Sequence, residues 1–120
     1  MNADFKKNNR ILNSKEFKNV YDNGNKISDK LMVIYVLDKG IGESPVRLGL
    51  TVSSRMGNSV ERNKIKRKVR EAFRQNKDKI RSNVDIVFHS RKILLTTCYK
   101  DFEIAFVELL RKNKLFKECF

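Results

Sequence analysis

The stretch from Asn58 to Arg74, NSVERNKIKRKVREAFR, constrains this chain more than any other segment. Wound at about 100° per residue, it gathers Ile65, Val69, Ala72 and Phe73 into one arc, an apolar stripe that must face a core. Lys66, Arg70, Asn63, Arg74 and Arg67 fall on the adjoining arc, with Arg62 at its border. Burying one flank and lining its neighbour with cations makes a rigid mount for charges at fixed spacing. Contact with many phosphates requires such a mount. A merely solvated basic face is the plain alternative. Only Glu61 and Glu71 are acidic between Asn58 and Gln75, so few of the cations can be neutralised locally. Like charges four residues apart on a helix destabilise it by about a few tenths of a kcal/mol per pair. Repeated acceptance of that cost points to a polyanionic partner.

The whole chain carries the same sign, with 27 Lys plus Arg against 14 Asp plus Glu and a net charge of +13 at pH 7. Such a field attracts nucleic acid or anionic membranes. The longest apolar run, Leu31 to Leu37, is too short to span a bilayer and suits a buried strand. The N-terminal MNADFKKNNR has charge but no apolar core, so no signal peptide is expected and the cytoplasm is the expected compartment. At 120 residues, 40% of them apolar, one domain with a real core is expected. Cys98 and Cys119 are widely spaced and His89 is the single histidine, so neither a zinc site nor a disulfide is expected.

The pattern of elements follows from local signals. Residues 1–13 form a polar, basic N-terminal arm. Ser14 is the expected N-cap of a first helix carrying Phe17, Val20 and Tyr21, with Gly24 stopping it at C′. Leu31 to Leu37 is β-branched and aromatic, a strand. Asp38 to Pro45, with two glycines and the only proline, is a loop. Val46 to Ser53 alternates: Val46, Leu48, Leu50 and Val52 face a core, while Arg47, Gly49, Thr51 and Ser53 form a polar outer face. Asn58 and Glu61 make a capping box for the basic helix, whose apolar phase extends to Ile80. After a break at Arg81 to Asn83, Val84 to His89 is a third strand, with Ile86 and Phe88 on one face. A last helix begins near Thr97 or Cys98 and buries Phe102, Ala105, Phe106, Leu109 and Leu110. The result is a single-domain α-β-β-α-β-α sandwich of the α+β class. The basic helix makes a parallel crossover, and the other two helices cover the opposite sheet face.

No autonomous active site emerges. There is no GxGxxG or Walker glycine loop and no acidic pair spaced for two metals. His89 lies in a strand pattern and is expected to be packed or hydrogen-bonded rather than a base. The chain reads as a binding protein. Phe17, Tyr21 and Tyr35 offer stacking surfaces beside Thr51 and Ser53, the arrangement that holds single-stranded RNA, although Phe17 and Tyr21 equally suit ordinary core packing. On the residues alone, a ribosomal or other structural RNA-binding protein fits the charge, as does a DNA-binding protein.

Arg62-Asn63-Lys64-Ile65-Lys66-Arg67, followed by Arg70, resembles the Arg-Asn-Arg motif of the protein subunit of bacterial ribonuclease P. RLGLTVSSRMGNSVERN resembles that family's third strand and glycine turn, and RILNSKEFKNVYDNG its first helix. Nearly the whole chain is covered, in order. The resemblance implies a ribonucleoprotein endoribonuclease in which a catalytic RNA, with Mg²⁺ held mainly by that RNA, removes the 5′ leader of precursor tRNA. The protein then has no catalytic or metal-binding residue, no membrane role and no obligate protein partner. Carried onto this chain, Arg62, Asn63, Lys66, Arg67 and Arg70 match the RNA-contacting motif, with Arg74 beyond it. Lys64 stands where the family usually has Arg, keeping the charge but not the bidentate fork. Arg55, in Ser54-Arg55, stands in a turn that usually carries two lysines. Phe17, Tyr21 and Tyr35 match a leader-binding cleft, flanked by Thr51 and Ser53. The resemblance also implies a central mixed sheet and a left-handed β-α-β crossover, whereas about 98% of such connections are right-handed.

Overall fold

The computed structural model describes residues 10, 11 and 13–117; most of the expected N-terminal arm and Cys119 lie outside the described residues. Helix α1 is Ser14–Asn23, followed by strands β1 (Asn25–Ser28), β2 (Met32–Asp38) and β3 (Arg47–Thr51). Helix α2 (Ser59–Asn76), strand β4 (Val84–Ser90) and helix α3 (Tyr99–Lys112) complete the chain. The sheet order is β1-β2-β4-β3. β1 and β4 run antiparallel to β2, and β3 runs parallel to β4, so β3-α2-β4 is the expected crossover within a mixed sheet. The order is therefore α-β-β-β-α-β-α. β1 escapes a sequence reading because Asn25-Lys26-Ile27-Ser28 pairs through its backbone at an edge, where only Ile27 is even half-buried.

One expectation about the layers is wrong. α3 packs on the same side as α2, not opposite it. Ile65, Val69 and Phe73 of α2 share one core with Phe102, Phe106 and Leu110 of α3, against Ile34, Leu48, Ile86 and Phe88 of the sheet. Phe88 meets Phe102 edge-on at 5.8 Å, and Phe102 lies 5.8 Å from Phe106. Truncating any of these rings to Ala would destabilise the fold by about 3–5 kcal/mol. Among the described residues, α1 and Ile11 before it cover the other face, where Ile11, Val20 and Val87 form a small second core. The physical reason is area: two apolar stripes need a shared wall, and α1, with Val20 its one fully buried residue, can close only a small one.

β4 is consequently buried on both faces from Val84 to Phe88, Asp85 included. Arg47, directly opposite Asp85 in the parallel register, donates from Nε to Oδ1 at 2.9 Å and from Nη2 to Oδ2 at 2.7 Å. Lys39 adds a third contact at 3.3 Å, and Arg47 Nη1 reaches Glu16 on α1. These carboxylates hold the guanidinium pKa above its ordinary value, Asp85 contributing most. The outer face of β3 is thus only partly solvated; α1 sits on it through this ion network.

Local endings differ slightly from expectation. The N-cap of α1 is Asn13, whose Oδ1 accepts from Glu16 N at 2.9 Å, with Ser14 the first helical residue. Gly24 is extended, at φ −91°; glycine is required there because a Cβ would lie 2.6 Å from the carbonyls of Val20 and Val36. Both halves of the Asn58–Glu61 capping box form. α2 stops at Asn76, whose Nδ2 donates back to Ala72 O at 2.8 Å, and a 3₁₀ turn over Lys77–Lys79 carries Ile80 into the core. Ile11 is buried and donates to Leu48 O at 3.0 Å, so the end of the expected arm is pinned against the edge strand β3. Among the described residues no helix is long and apolar enough to cross a membrane.

Candidate RNA interface

α2 displays its cations because its other flank is committed to the main core. Ile65, Val69, Ala72 and Phe73 are fully buried, which fixes the helix rotationally. Asn63, Lys64, Arg67 and Arg70 are exposed as a result, and Arg62 and Lys66 are half-buried beside them. Among the described residues, Lys64, Arg67 and Arg70 have no acidic side chain within ion-pair distance. The Nε of Arg62 is buried with no hydrogen-bond partner in the protein. Arg55 is exposed on the 3₁₀ turn Ser54–Met56, which Gly57 at φ 134° bends into α2.

Two cations of this helix differ from the rest. Arg74 forks onto Glu71, with Nε to Oε1 at 2.9 Å and Nη2 to Oε2 at 2.6 Å, and this pairing pulls the Glu71 carboxyl down to about 2. Arg74 thus belongs to the basic arc but is already engaged. Lys68 lies on the far flank and donates to three carbonyls, Leu94 O at 3.0 Å, Leu95 O at 3.3 Å and Thr97 O at 2.6 Å. It caps the 3₁₀ turn Lys92–Leu95 that leads into α3.

The second region lies on the other sheet face, under α1. Register places Tyr35, Val87 and Gly49 in one row and Val33, His89 and Thr51 in the next. The Phe17 ring rests on Gly49, where a Cβ would stand only 2.8 Å from its edge. Tyr21 meets Tyr35 edge-on at 5.0 Å and lies 6.5 Å from Phe17. Phe17, Tyr21 and Tyr35 are all half-buried, packed against the small core but not covered by it. The three expected cleft aromatics thus come together, with Thr51 on the same face. Ser53 does not join them; it is exposed beyond β3, and its carbonyl accepts from Met56 N in the turn toward α2.

His89 belongs to this cluster. Its Nε2 is 2.7 Å from Tyr21 Oη, and its ring lies 5.5 Å from Tyr21 and 5.4 Å from Tyr35. Burial, and then the charge of Lys26, lower its pKa. The sequence reading of a hydrogen-bonded strand histidine holds, but its partner was not foreseen. The signal was the alternation in VDIVFH, which sets Asp85, Val87 and His89 on the face of Gly49 and Thr51. Lys26, 6.0 Å over the Tyr35 ring, was missed together with β1.

Known proteins share this arrangement of chain. A family model described as Ribonuclease P matches residues 5–114. The ribonuclease P protein component of Alkaliphilus metalliredigens is 38% identical over 108 residues, spanning 90% of this chain and 96% of its own. That of Clostridium botulinum (strain 657 / Type Ba4) is 40% identical over 111 residues, spanning 92% and 98%. The Staphylococcus aureus RNase P protein superposes with a TM-score of 0.79 at 31% identity, over 91% of this chain and 98% of that one. The Thermotoga maritima RNase P protein gives 0.76 at 29% identity, over 86% and 96%. Matched along most of its length in sequence and in fold, the chain belongs to the ribonuclease P protein family.

Proposed function

We propose that the exposed arc of α2 docks on the RNA subunit of ribonuclease P, and that the aromatic face under α1 receives the single-stranded 5′ leader of precursor tRNA. Membership of the family makes the chain the protein component of an endoribonuclease with an RNA partner. The observation that carries the docking is the set of unpaired cations, Lys64, Arg67 and Arg70, on a helix whose other flank is locked in the core. Each phosphate they neutralise releases condensed counterions, so affinity falls as salt rises. Arg62, Asn63, Lys66 and Arg55 border that arc and extend the contact. Arg74 joins it only by sharing its guanidinium with Glu71.

On the other face, Tyr35 and Phe17 offer ring surface to unstacked bases without regard to sequence. Mature tRNA has no leader to place there, which gives the protein a means of favouring substrate over product. The chemistry belongs to the RNA subunit in this reading. Magnesium requires several oxygen ligands in near-octahedral geometry. Among the described residues no three His, Cys, Asp or Glu side chains gather into a metal site. In this reading Mg²⁺ is held mainly by the RNA subunit, and the protein contributes binding and orientation.

Tyr35→Ala tests the reading in the reconstituted ribonucleoprotein. Loss of a stacking platform should weaken binding of precursor tRNA by about 1–3 kcal/mol and leave mature tRNA nearly unchanged. Equal weakening for both, with a lowered melting temperature, would assign Tyr35 to the small core instead. Purified protein free of RNA should leave precursor tRNA uncut in Mg²⁺; cleavage at the mature 5′ end would place the chemistry in the protein.

A further inference from the structure

The basic arc of α2 does not end with the helix. Lys77 caps α2 with helical dihedrals, φ −59° and ψ −32°, and falls three residues beyond Arg74 and seven beyond Arg70, on the same arc. The 3₁₀ turn Lys77–Lys79 and the tail at residues 114–117 then meet at one end of the molecule. Arg81 N donates to Leu115 O at 2.8 Å and Lys117 N to Lys79 O at 2.7 Å, around an antiparallel bridge of Ile80 with Phe116. Ile80 and Leu115 are buried in the main core, so the bridge is a fixed mount. Lys79, Lys114 and Lys117 are exposed there, and among the described residues no acidic side chain lies within ion-pair distance of any of them. Arg81 beside them is engaged by Asp38. A groove of about 190 Å³ is lined by Lys77 and Lys117, with Asp78 the one acid on its wall.

Two structural explanations account for part of this charge. The C-terminus of α2 carries about half a negative elementary charge, which a single lysine complements. Lys114 is the left-handed residue of a Schellman ending to α3, at φ 62°, where Leu115 N donates to Leu110 O at 3.0 Å and Lys114 N to Arg111 O at 3.0 Å. Glycine takes that position without steric conflict; lysine is strained there and adds a charge that the motif does not need. Neither explanation calls for three exposed, unpaired lysines on one rigid bridge. Their mutual repulsion is relieved by a polyanion.

We propose that this pole is a second anchor for the RNA subunit: Lys79, Lys114 and Lys117 engage phosphates of an RNA segment beyond the one that α2 holds. The proposal rests on the α2 docking given above and extends it. The occupant is the RNA subunit rather than the leader because Lys77 carries the α2 arc onto the pole. Ile80 and Leu115 beneath the pole belong to the core on the α2 side, whereas the leader cleft lies across the sheet under α1. With 18 residues α2 is about 27 Å long, so an RNA that follows its arc arrives at the pole.

The test is binding of the protein to the RNA subunit alone, without tRNA, across a series of salt concentrations. Lys79→Gln, Lys114→Gln and Lys117→Gln together remove the charges and keep every backbone bond of the bridge. Affinity should fall about 5–30-fold near physiological salt, and the salt dependence should become shallower by about 1–2 in logarithmic slope. The melting temperature of the free protein should hold. Hydroxyl-radical footprinting should show protection lost over an RNA segment different from the one released by Arg67→Ala with Arg70→Ala. A control with Lys30→Gln, Lys92→Gln and Lys100→Gln, exposed lysines elsewhere, removes the same net charge. It should change affinity by less than about twofold, since distant charges are screened.

Unchanged affinity in the triple variant overturns the proposal, as does equal weakening by the control, which would reduce the pole to net charge. If RNA-subunit binding is unchanged while the assembled ribonucleoprotein loses affinity for precursor tRNA but not for mature tRNA, the pole holds the leader and its assignment to the RNA subunit falls. If the triple variant does not fold, Lys79→Gln with Lys117→Gln decides by the same criteria. Arg67→Ala with Arg70→Ala separates the two levels. If that variant binds the RNA subunit weakly and the pole variant binds normally, the α2 docking stands and the second anchor falls. If both bind normally, both fall.

Discussion

The arc of α2 and the face under α1 solve opposite problems. On α2, Lys64, Arg67 and Arg70 reach outward and touch no acidic partner among the described residues, while the helix beneath them is immobilised by Ile65, Val69 and Phe73. Under α1, the side chains already hold one another: Tyr21 bonds His89, Tyr21 and Tyr35 meet edge-on, and Phe17 rests on Gly49. Mutual repulsion on α2 is relieved only by a polyanion, which suits strong, salt-sensitive and sequence-blind binding. The preassembled rings lose little entropy when a base arrives, which suits a weaker contact that discriminates. Rigidity lies in the backbone in the first region and in the side chains in the second.

The largest effect that separates them should come from Arg67→Ala with Arg70→Ala. Losing two phosphate contacts should weaken binding to the RNA subunit by about 10–30-fold near physiological salt and make the salt dependence shallower by about 1.5 in logarithmic slope. The melting temperature of the free protein should hold or rise, since repulsion is removed. Unfolding of the double variant would mean that these side chains belong to the fold, and the contrast between regions would collapse.

Lys68→Met sharpens the same comparison from inside one helix. Lys68 sits among the basic residues in sequence but spends its charge on three carbonyls of the turn before α3. Its loss should destabilise the protein by about 1.5–3 kcal/mol, as for hydrogen bonds from a charged donor, and leave the salt slope of RNA binding untouched. Thermal unfolding and a salt titration of the same preparation check both halves. A shallower slope with normal stability would return Lys68 to the RNA-binding set.

That residue also marks how far the sequence could be read. Helical phase correctly buried Ile65, Val69, Ala72 and Phe73, because a 3.6-residue period is local and a strong stripe admits one orientation. Phase also put Arg74 on the basic arc, where its partner Glu71, three residues away, lies within local reach, but nothing local revealed that Lys68, off that arc, meets carbonyls 26 to 29 residues on. The capping box was legible because both partners lie within one turn. β1 was not, since an edge strand of Asn, Lys, Ile and Ser is held by backbone pairing with β2 rather than by its own pattern. The side on which α3 packs was misjudged for a related reason: its stripe shows that it buries one face, not which wall it shares. Phe17, Tyr21 and Tyr35 were legible as candidate stacking rings, which the family resemblance matched to a cleft, whereas His89 entered the cluster through the register of β4 with β2 and β3, a property of pairing that no single strand displays.

The smallest effect concerns His89 and acid. It is the chain's single histidine, so no other side chain has an ordinary pKa between those of the carboxylates and the thiols. In the unfolded chain it titrates near its ordinary value of about 6.5. In the folded protein, burial first and Lys26 second lower that value, while Tyr21 and Tyr35 are the rings packed against it. As pH falls, the unfolded chain therefore binds the proton first, and unfolding is favoured by the difference. The contribution is fully present above pH 6.5 and is lost as pH falls through the folded value. Stability measured by denaturant should decline between pH 7.5 and pH 5.5, and His89→Gln should flatten that decline even though it lowers the plateau. A slope unchanged by the substitution would show that His89 titrates freely, and with it would go the view that the rings under α1 are assembled before RNA arrives.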